Sequence, residues 1–320
     1  KGRFAAIGLG MSEQSTAREG DNVVLAIGLC LLALLFFDLM GLVIKLLSER
    51  YSAAELSAYR NLFGLVPSLI DLWMTASWRN GTRSFRIRQW KLAAVRGLSV
   101  RFAQLMFYLS LGIMAFATAT TISYTTAIFT TALAVPILGE RVGWVRWLAV
   151  AIGFGGVILI LQPGSDAFTW ALVLPVAAAS LYAFSGVTAR LIDPHVPTPL
   201  FNLHSSAFAA VGSFLLALIA GGFTPLANLE DLAFIVLMGM LGGSAVLCLV
   251  VAYRMTEPSN LAPFSYFGIP IAFALGWLFF DEAPVDDLWP GAVLIVIGGL
   301  MIVYRERRAH RRLERPETHN

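Results

Sequence analysis

Charge is scarce in this 320-residue chain, where Asp, Glu, Lys and Arg together make up 13% of the residues, against roughly 25% in an ordinary soluble domain. With 58% hydrophobic residues, it carries more apolar surface than a soluble core could bury. Cysteine is nearly absent. Cys30 and Cys248 both sit inside apolar runs, so neither a disulfide framework nor a metal site is indicated. The apolar stretches hold no HExxH, no GxSxG and no aspartate-rich metal motif, and DDLWP at 286–290 lacks a second acidic cluster, which argues against an intramembrane enzyme. No phosphate-cradling glycine loop is visible either, so ATP hydrolysis is not expected, and no cofactor is implied. The net charge of +3 comes from basic residues spread over loop-like stretches, which gives no nucleic-acid footprint.

What the chain does have is ten hydrophobic segments, at about 23–47, 53–76, 92–114, 117–138, 144–162, 168–190, 199–220, 231–253, 259–280 and 288–304. Each is near the ~20 residues that ~30 Å of hydrocarbon requires. Segment 53–76 is interrupted by Glu55, Arg60 and Asp71. Counting it as spanning puts the basic groups Arg79 to Lys91, Arg141 with Arg146, and Arg305 to Arg315 all on one side. The positive-inside rule makes that side cytoplasmic, with both termini inside. Residues 1–22 then form a cytoplasmic N-terminal segment, and 305–320 a basic cytoplasmic tail. Residues 1–10, ahead of Met11, read as an upstream extension. FAAIGLG is shorter than a signal-peptide core, and no small-residue cleavage site follows it, so no signal peptide is expected.

The two halves repeat each other. Ser123, Tyr124, Glu140, Trp147 and Gly156 recur as Ser265, Tyr266, Glu282, Trp289 and Gly298, each 142 residues later. Five helices per half is an odd number, so the second half enters the membrane in the opposite sense. The expected fold is an all-α integral membrane protein of ten transmembrane helices arranged as a five-plus-five inverted repeat, with repeats at 23–162 and 168–304. Such repeats have two near-equivalent packings, which is the physical basis of alternating access. A duplication that merely built a stable bundle, serving as a membrane scaffold, is the competing reading.

Charged side chains inside spans are costly unless they face the bundle interior, a partner or water. Asp38, Arg60 and Arg101 are the candidates, read either as an Asp38–Arg101 ion pair holding helices 1 and 3 or as groups that meet substrate. Asp38, the lone carboxylate deep in a span, is the expected proton-coupling group. A positive charge left over from Arg60 suits an anionic or zwitterionic solute. Lys45 and Arg96, near span ends, read as anchors. Ser123, Thr126 and Thr130 make a polar stripe on helix 4, with packing as their simplest role. Tyr124 and Tyr266 occupy matching places in the two copies, so a two-fold relation sets them opposite one another. Gln104, Phe107, Tyr108, Tyr182 and Ser265 extend an aromatic, hydrogen-bonding lining. Asn202 and His204 are weaker candidates, with His204 expected to be a satisfied interior histidine. Pro263 and Pro270 bracket Tyr266, which makes helix 9 the segment expected to deform.

With these residues in view, the chain resembles the drug/metabolite transporter superfamily, in particular its ten-helix EamA-type members. The resemblance covers about 23–304. It rests on AYRNLFGLVPSLI (58–70), on the stretch from LMFYLSLG to ILILQPG (105–164), which contains ILGERVGWVRW, and on the degenerate second copy AYRMTEPSN to GGLMIVY (252–304). It implies termini inside, an inner-membrane location and a central cavity lined largely by helices 1, 3, 4, 6, 8 and 9. The first-half stretch looks most like the branch of riboflavin and S-adenosylmethionine uptake carriers, which suggests a small, partly planar organic substrate. An exporter of amino acids or other metabolites is the alternative. The second copy has FFDEAP where the first has ILGERV, so no symmetric role is expected for Glu140 and Glu282.

Overall fold

The computed structural model describes residues 11–74, 87–139, 143–162, 169–193, 196, 198–255, 261, 264 and 266–313. Among them there is no strand. The chain crosses in ten helical spans: span 1 Met11–Leu47, span 2 Ala53–Met74, span 3 Trp90–Ile113, span 4 in two pieces Phe116–Ser123 and Thr126–Leu138, and span 5 Trp144–Leu161. Then follow span 6 Val173–Thr188, entered through the short 3-10 turn Trp170–Leu172, span 7 Thr198–Ile219, span 8 Leu229–Met255, span 9 Gly268–Phe280 and span 10 Gly291–Leu313. Five stretches are long and apolar enough to cross a bilayer unaided, namely Val24–Leu47, Phe116–Leu138, Trp170–Thr188, Leu200–Ile219 and Leu229–Leu249. Spans 2 and 3 are 22 and 24 residues long but carry charge, and spans 5, 9 and 10 contain shorter apolar helices.

An even number of crossings puts both ends of the bundle on one face, called here the terminal face. Exposed tryptophans mark both membrane boundaries, as their amphipathic rings favour the headgroup level. Trp73, Trp90, Trp144 and Trp147 ring the terminal face, and Trp170, Trp277 and Trp289 the opposite one.

Helix contacts obey a two-fold operation that exchanges the halves. Span 1 packs on span 8 as span 6 does on span 3, span 2 on span 8 as span 7 on span 3, and span 4 on span 6 as span 9 on span 1. Spans 2 and 7, 4 and 9, and 5 and 10 meet their own repeat partners. The same operation holds residue by residue. A Cβ at Gly156 would lie 2.5 Å from the Gly291 carbonyl, and one at Gly298 would lie 2.7 Å from the Ala149 carbonyl. Positions 149 and 156, shifted by 142, are 291 and 298, so the contact is self-complementary, as at a two-fold interface. Gly139 and Asp281, also 142 apart, end spans 4 and 9 in the left-handed conformation, with φ of 68° and 54°.

Span ends are tied by the same logic. Asp231 accepts from Arg50 Nη1 at 2.7 Å and from Tyr51 Oη at 2.9 Å. Its repeat partner Gln89 donates to the Leu191 carbonyl at 3.1 Å and accepts from the Asp193 amide at 2.9 Å. Ser52 and Glu55 form a reciprocal capping box that starts span 2, with Ser52 N to Glu55 Oε2 at 2.7 Å and Glu55 N to Ser52 Oγ at 3.3 Å.

The span 5–span 10 approach predicts that Gly156→Ala lowers stability in detergent by about 1–3 kcal/mol, the usual cost of overpacking. Gly155→Ala, where an added Cβ meets nothing within 4 Å, changes it little. Thermal unfolding of the two variants tests this, and equal tolerance contradicts the close approach.

Candidate functional site

Span 4 is interrupted at Tyr124–Thr125, and 142 residues on, the turn Tyr266–Phe267 separates the helical residues Leu261 and Phe264 from Gly268–Phe280. Span 4 breaks where hydroxyl residues crowd. Thr125, Ser123 and Thr126 donate to the carbonyls of Ile122, Thr120 and Ser123 at 2.6–2.7 Å, so side chains compete with the helical ladder. Thr130 likewise donates to the Thr126 carbonyl at 2.7 Å. The polar stripe of helix 4 therefore satisfies its own backbone. Helix 9, the segment expected to deform during switching, has a turn at Tyr266–Phe267, and span 4 has a matching break that the run TATTISYTT could have signalled.

The breaks bring the two tyrosines together, with ring centroids 6.3 Å apart and planes tilted by 42°. Gly268 makes room for the Tyr124 hydroxyl, and Gly299 for that of Tyr266. Tyr266 Oη is buried with no hydrogen-bond partner among the described residues. Counting ~1.5 Å per residue from the opposite face, Tyr124 lies ~12 Å deep and Tyr266 ~20 Å, so the pair straddles the midplane. Asp38, 4% exposed, is in electrostatic range of Tyr124, and its Oδ2 has no described partner. Ser265 lies outside the described residues.

A second polar group sits across the bundle. Asn61 Nδ2 donates to Gln104 Oε1 at 2.8 Å and to Ser213 Oγ at 3.0 Å, while Arg60 Nη1 donates to Asn61 Oδ1 at 3.1 Å. Tyr108 and Tyr182 are in electrostatic range of Arg60. Beside this group lies a cavity of about 270 Å³ in the terminal half of the bundle, between spans 2, 3, 6, 7 and 8. Of the helices expected to line a central cavity, 3, 6 and 8 line this one, and spans 2 and 7 contribute as well. Tyr124 and Tyr266 meet where spans 4 and 9 pack.

Two expectations are corrected. Asp38 and Arg101 are not paired, because the Arg101 side chain lies along span 7 at Gly212 and over the Phe102 ring, 4.4 Å from its centroid. Arg96 is not a boundary anchor. It lines the cavity, donates from Nε to the Ser185 carbonyl at 2.9 Å and covers the Phe201 ring at 5.4 Å. Asn202 lines the same cavity, and His204 bonds through Nδ1 to the Leu200 carbonyl at 2.9 Å. Sequence reasoning had also missed Asn61 and Ser213, which offer no charge to draw attention.

Lys45 is no simple anchor either. On the opposite face its Nζ meets Glu282 Oε1 at 2.6 Å, donates to the Met114 carbonyl at 2.9 Å and lies 4.7 Å from the centroid of Phe280. Glu282 Oε2 also accepts from the Phe116 amide at 2.9 Å. One ion pair thus joins span 1, the span 3–4 turn and the end of span 9. The residue 142 positions after Lys45 is Val187, which cannot repeat the pair on the terminal face.

Comparison with known proteins agrees with this architecture. Residues 24–162 and 169–304 each match the EamA-like transporter family. A "Riboflavin transporter" of Rhizobium johnstonii is 36% identical over 175 residues, covering 55% of this chain and 57% of that protein. An "S-adenosylmethionine uptake transporter" of Rickettsia bellii is 26% identical over 287 residues, covering 89% and 95%. A "Riboflavin transporter" of Brucella anthropi is 27% identical over 238 residues, covering 71% and 81%. A solved crystal structure shares the fold with a TM-score of 0.61 at 17% identity, over 89% of this chain and 98% of that one. With both halves matched, the chain is a multi-pass membrane protein that belongs to the EamA-like transporter family, whose members here are metabolite carriers.

Proposed function

We propose that this protein moves a small, partly planar organic metabolite by alternating access, with uptake of a heteroaromatic compound of the riboflavin or S-adenosylmethionine kind as the preferred reading. The observation that carries it is the pair of broken helices meeting at Tyr124 and Tyr266 near the midplane, since discontinuous helices at a repeat interface are where carriers bind their solutes. The names of the relatives support the ligand class. Tyr124, Tyr266 and Tyr182 supply aromatic surface, and Gln104 with Asn61 supplies amide hydrogen bonds. Arg60 supplies charge. Ser123 precedes Tyr124 and Ser265 precedes Tyr266 in the chain, Arg101 braces span 7, and Asp38 is the proton-coupling group.

The distribution of basic residues supports a cytoplasmic terminal face, and the relatives' family supports the inner membrane as the location. In that orientation the cavity lies toward the cytoplasm and Lys45–Glu282 ties the outer ends of spans 1 and 9, which supports reading this as the inward-facing state. Transport rather than catalysis is the role of the site.

In liposomes holding the purified protein, counterflow of riboflavin or S-adenosylmethionine is expected. Tyr124→Ala should weaken it roughly tenfold, about 1.4 kcal/mol of lost aromatic contact. Absence of exchange with either compound would remove the heteroaromatic reading. Asp38→Asn should abolish the response of transport to an imposed pH gradient, and a full response in that variant rules out its coupling role. Glu282→Gln should speed maleimide labelling from outside of a cysteine placed at Ala119, in a background lacking Cys30 and Cys248. An unchanged rate means the ion pair does not close that face.

A further inference from the structure

Arg60 and Arg96 both line the cavity in the terminal half of the bundle, and the other polar groups on its described wall are neutral, among them Asn61, Ser185, Asn202 and Ser205. No carboxylate is among them. Each guanidinium keeps a buried nitrogen, Arg60 Nε and Arg96 Nη1, with no hydrogen-bond partner among the described residues. Neither takes part in the two ion pairs of the described residues, Lys45–Glu282 and Arg50–Asp231. An arginine does not shed its proton in a protein, so an uncompensated pair of charges within a membrane bundle calls for a counter-charge.

Bundle packing does not require these charges. The residue 142 positions after Arg60 is Asn202, on the same wall, and the one after Arg96 is Met238, which is fully buried. The two-fold frame is therefore satisfied by neutral side chains at the equivalent places. Both arginines are also held in position before any solute arrives. Asn61, itself fixed by Gln104 and Ser213, holds Arg60 Nη1, and the Ser185 carbonyl with the Phe201 ring holds Arg96. Gly242 leaves room beside Arg60, where an added Cβ would come within 2.9 Å of Nε. Preorganised donors of this kind are what carboxylate and phosphate recognition needs.

We infer that this cavity takes an organic anion, a solute bearing a carboxylate or phosphate group, with Arg96 and Arg60 as successive cationic stations. This deepens the transport reading above and rests on it. Arg96 is ~9 Å from the terminal end of span 3, and Arg60 is ~10 Å from the opposite end of span 2, so the two stand at different depths along the cavity. Arg96 meets the anionic group near the cytoplasmic end, and Arg60 receives it at the floor, within electrostatic range of Tyr108 and Tyr182.

The test is ligand-induced thermal stabilisation of the purified protein, with Kd values for matched pairs: riboflavin against riboflavin 5′-phosphate, and decarboxylated S-adenosylmethionine against S-adenosylmethionine. Inorganic phosphate and citrate serve as bare anions. The member that bears the phosphate or carboxylate group should bind at least tenfold more tightly in at least one pair, the flavin pair reporting phosphate and the adenosyl pair carboxylate. Arg60→Gln and Arg96→Gln should each erase that preference. Equal binding within both pairs, or a preference that survives both substitutions, overturns the assignment. Should no member of either pair bind, the heteroaromatic reading falls, and the bare anions decide this one: stabilisation lost in both variants sustains it, and its absence or persistence overturns it. Where a glutamine variant does not fold, Arg60→Lys and Arg96→Lys are measured instead; an anion preference weakened at least threefold sustains the assignment, and an unchanged one overturns it.

Discussion

Everything in this bundle hangs on the close approach of spans 5 and 10, where backbone meets backbone at Gly156–Gly291 and Ala149–Gly298. In a membrane no hydrophobic force pulls helices together, so small residues that admit backbone contact decide which helices pair. Because this contact maps onto itself when the halves are exchanged, it places a two-fold axis through the bundle. The breaks at Tyr124 and Tyr266 fall on either side of that axis. Span 8 repeats the device with Gly239, Gly242 and Gly243 against Phe63, Arg60 and Pro67, which turns one face of the charged span 2 inward while Leu62, Val66, Leu69 and Ile70 stay exposed on the other.

A symmetric frame alone has no direction. The asymmetry comes from single residues laid over it, and the charges set well inside spans, Asp38, Arg60, Arg96 and Arg101, all lie in the first half. Lys45 has Val187 as its repeat partner, Arg60 has Asn202, Arg96 has Met238 and Asp38 has Ser180. The opposite face is therefore held by an ion pair with side chains only 12% and 28% exposed, while the terminal face has no cation at the equivalent place. Removing one partner of a partly buried pair leaves the other charge poorly solvated. Closure on the two faces thus rests on different chemistry, although the helices that meet there are equivalent.

Much of this was legible in the sequence. The 142-residue period carried the inverted fold, and it carried the meeting of Tyr124 with Tyr266, since residues on a two-fold must face their own copies. Ten spans could be counted from apolar length, including the charged span 2. Pairings between charges were not legible. Depth along a helix suggested Asp38 with Arg101, but rotation about the helix axis turns Arg101 toward Gly212 of span 7, and a one-dimensional count carries no rotation. Arg96 was taken for an anchor because it lies near a span end, yet its helix faces inward there. The role of Lys45 depended on Glu282, 237 residues away in the chain. Hydroxyl-rich sequence pointed toward packing, and in span 4 those hydroxyls turn back on their own helix and break it.

The central claim is that the two halves exchange packings around this axis, so that closure on one face alternates with closure on the other. The most direct test is the distance between spin labels at Glu49 and Ala283, on the face closed by Lys45–Glu282, measured by pulsed electron resonance in liposomes. The account predicts two populated distances, with the longer one gaining population when the Lys45 charge is removed by Lys45→Met. A single distance, unchanged by that substitution, would contradict it.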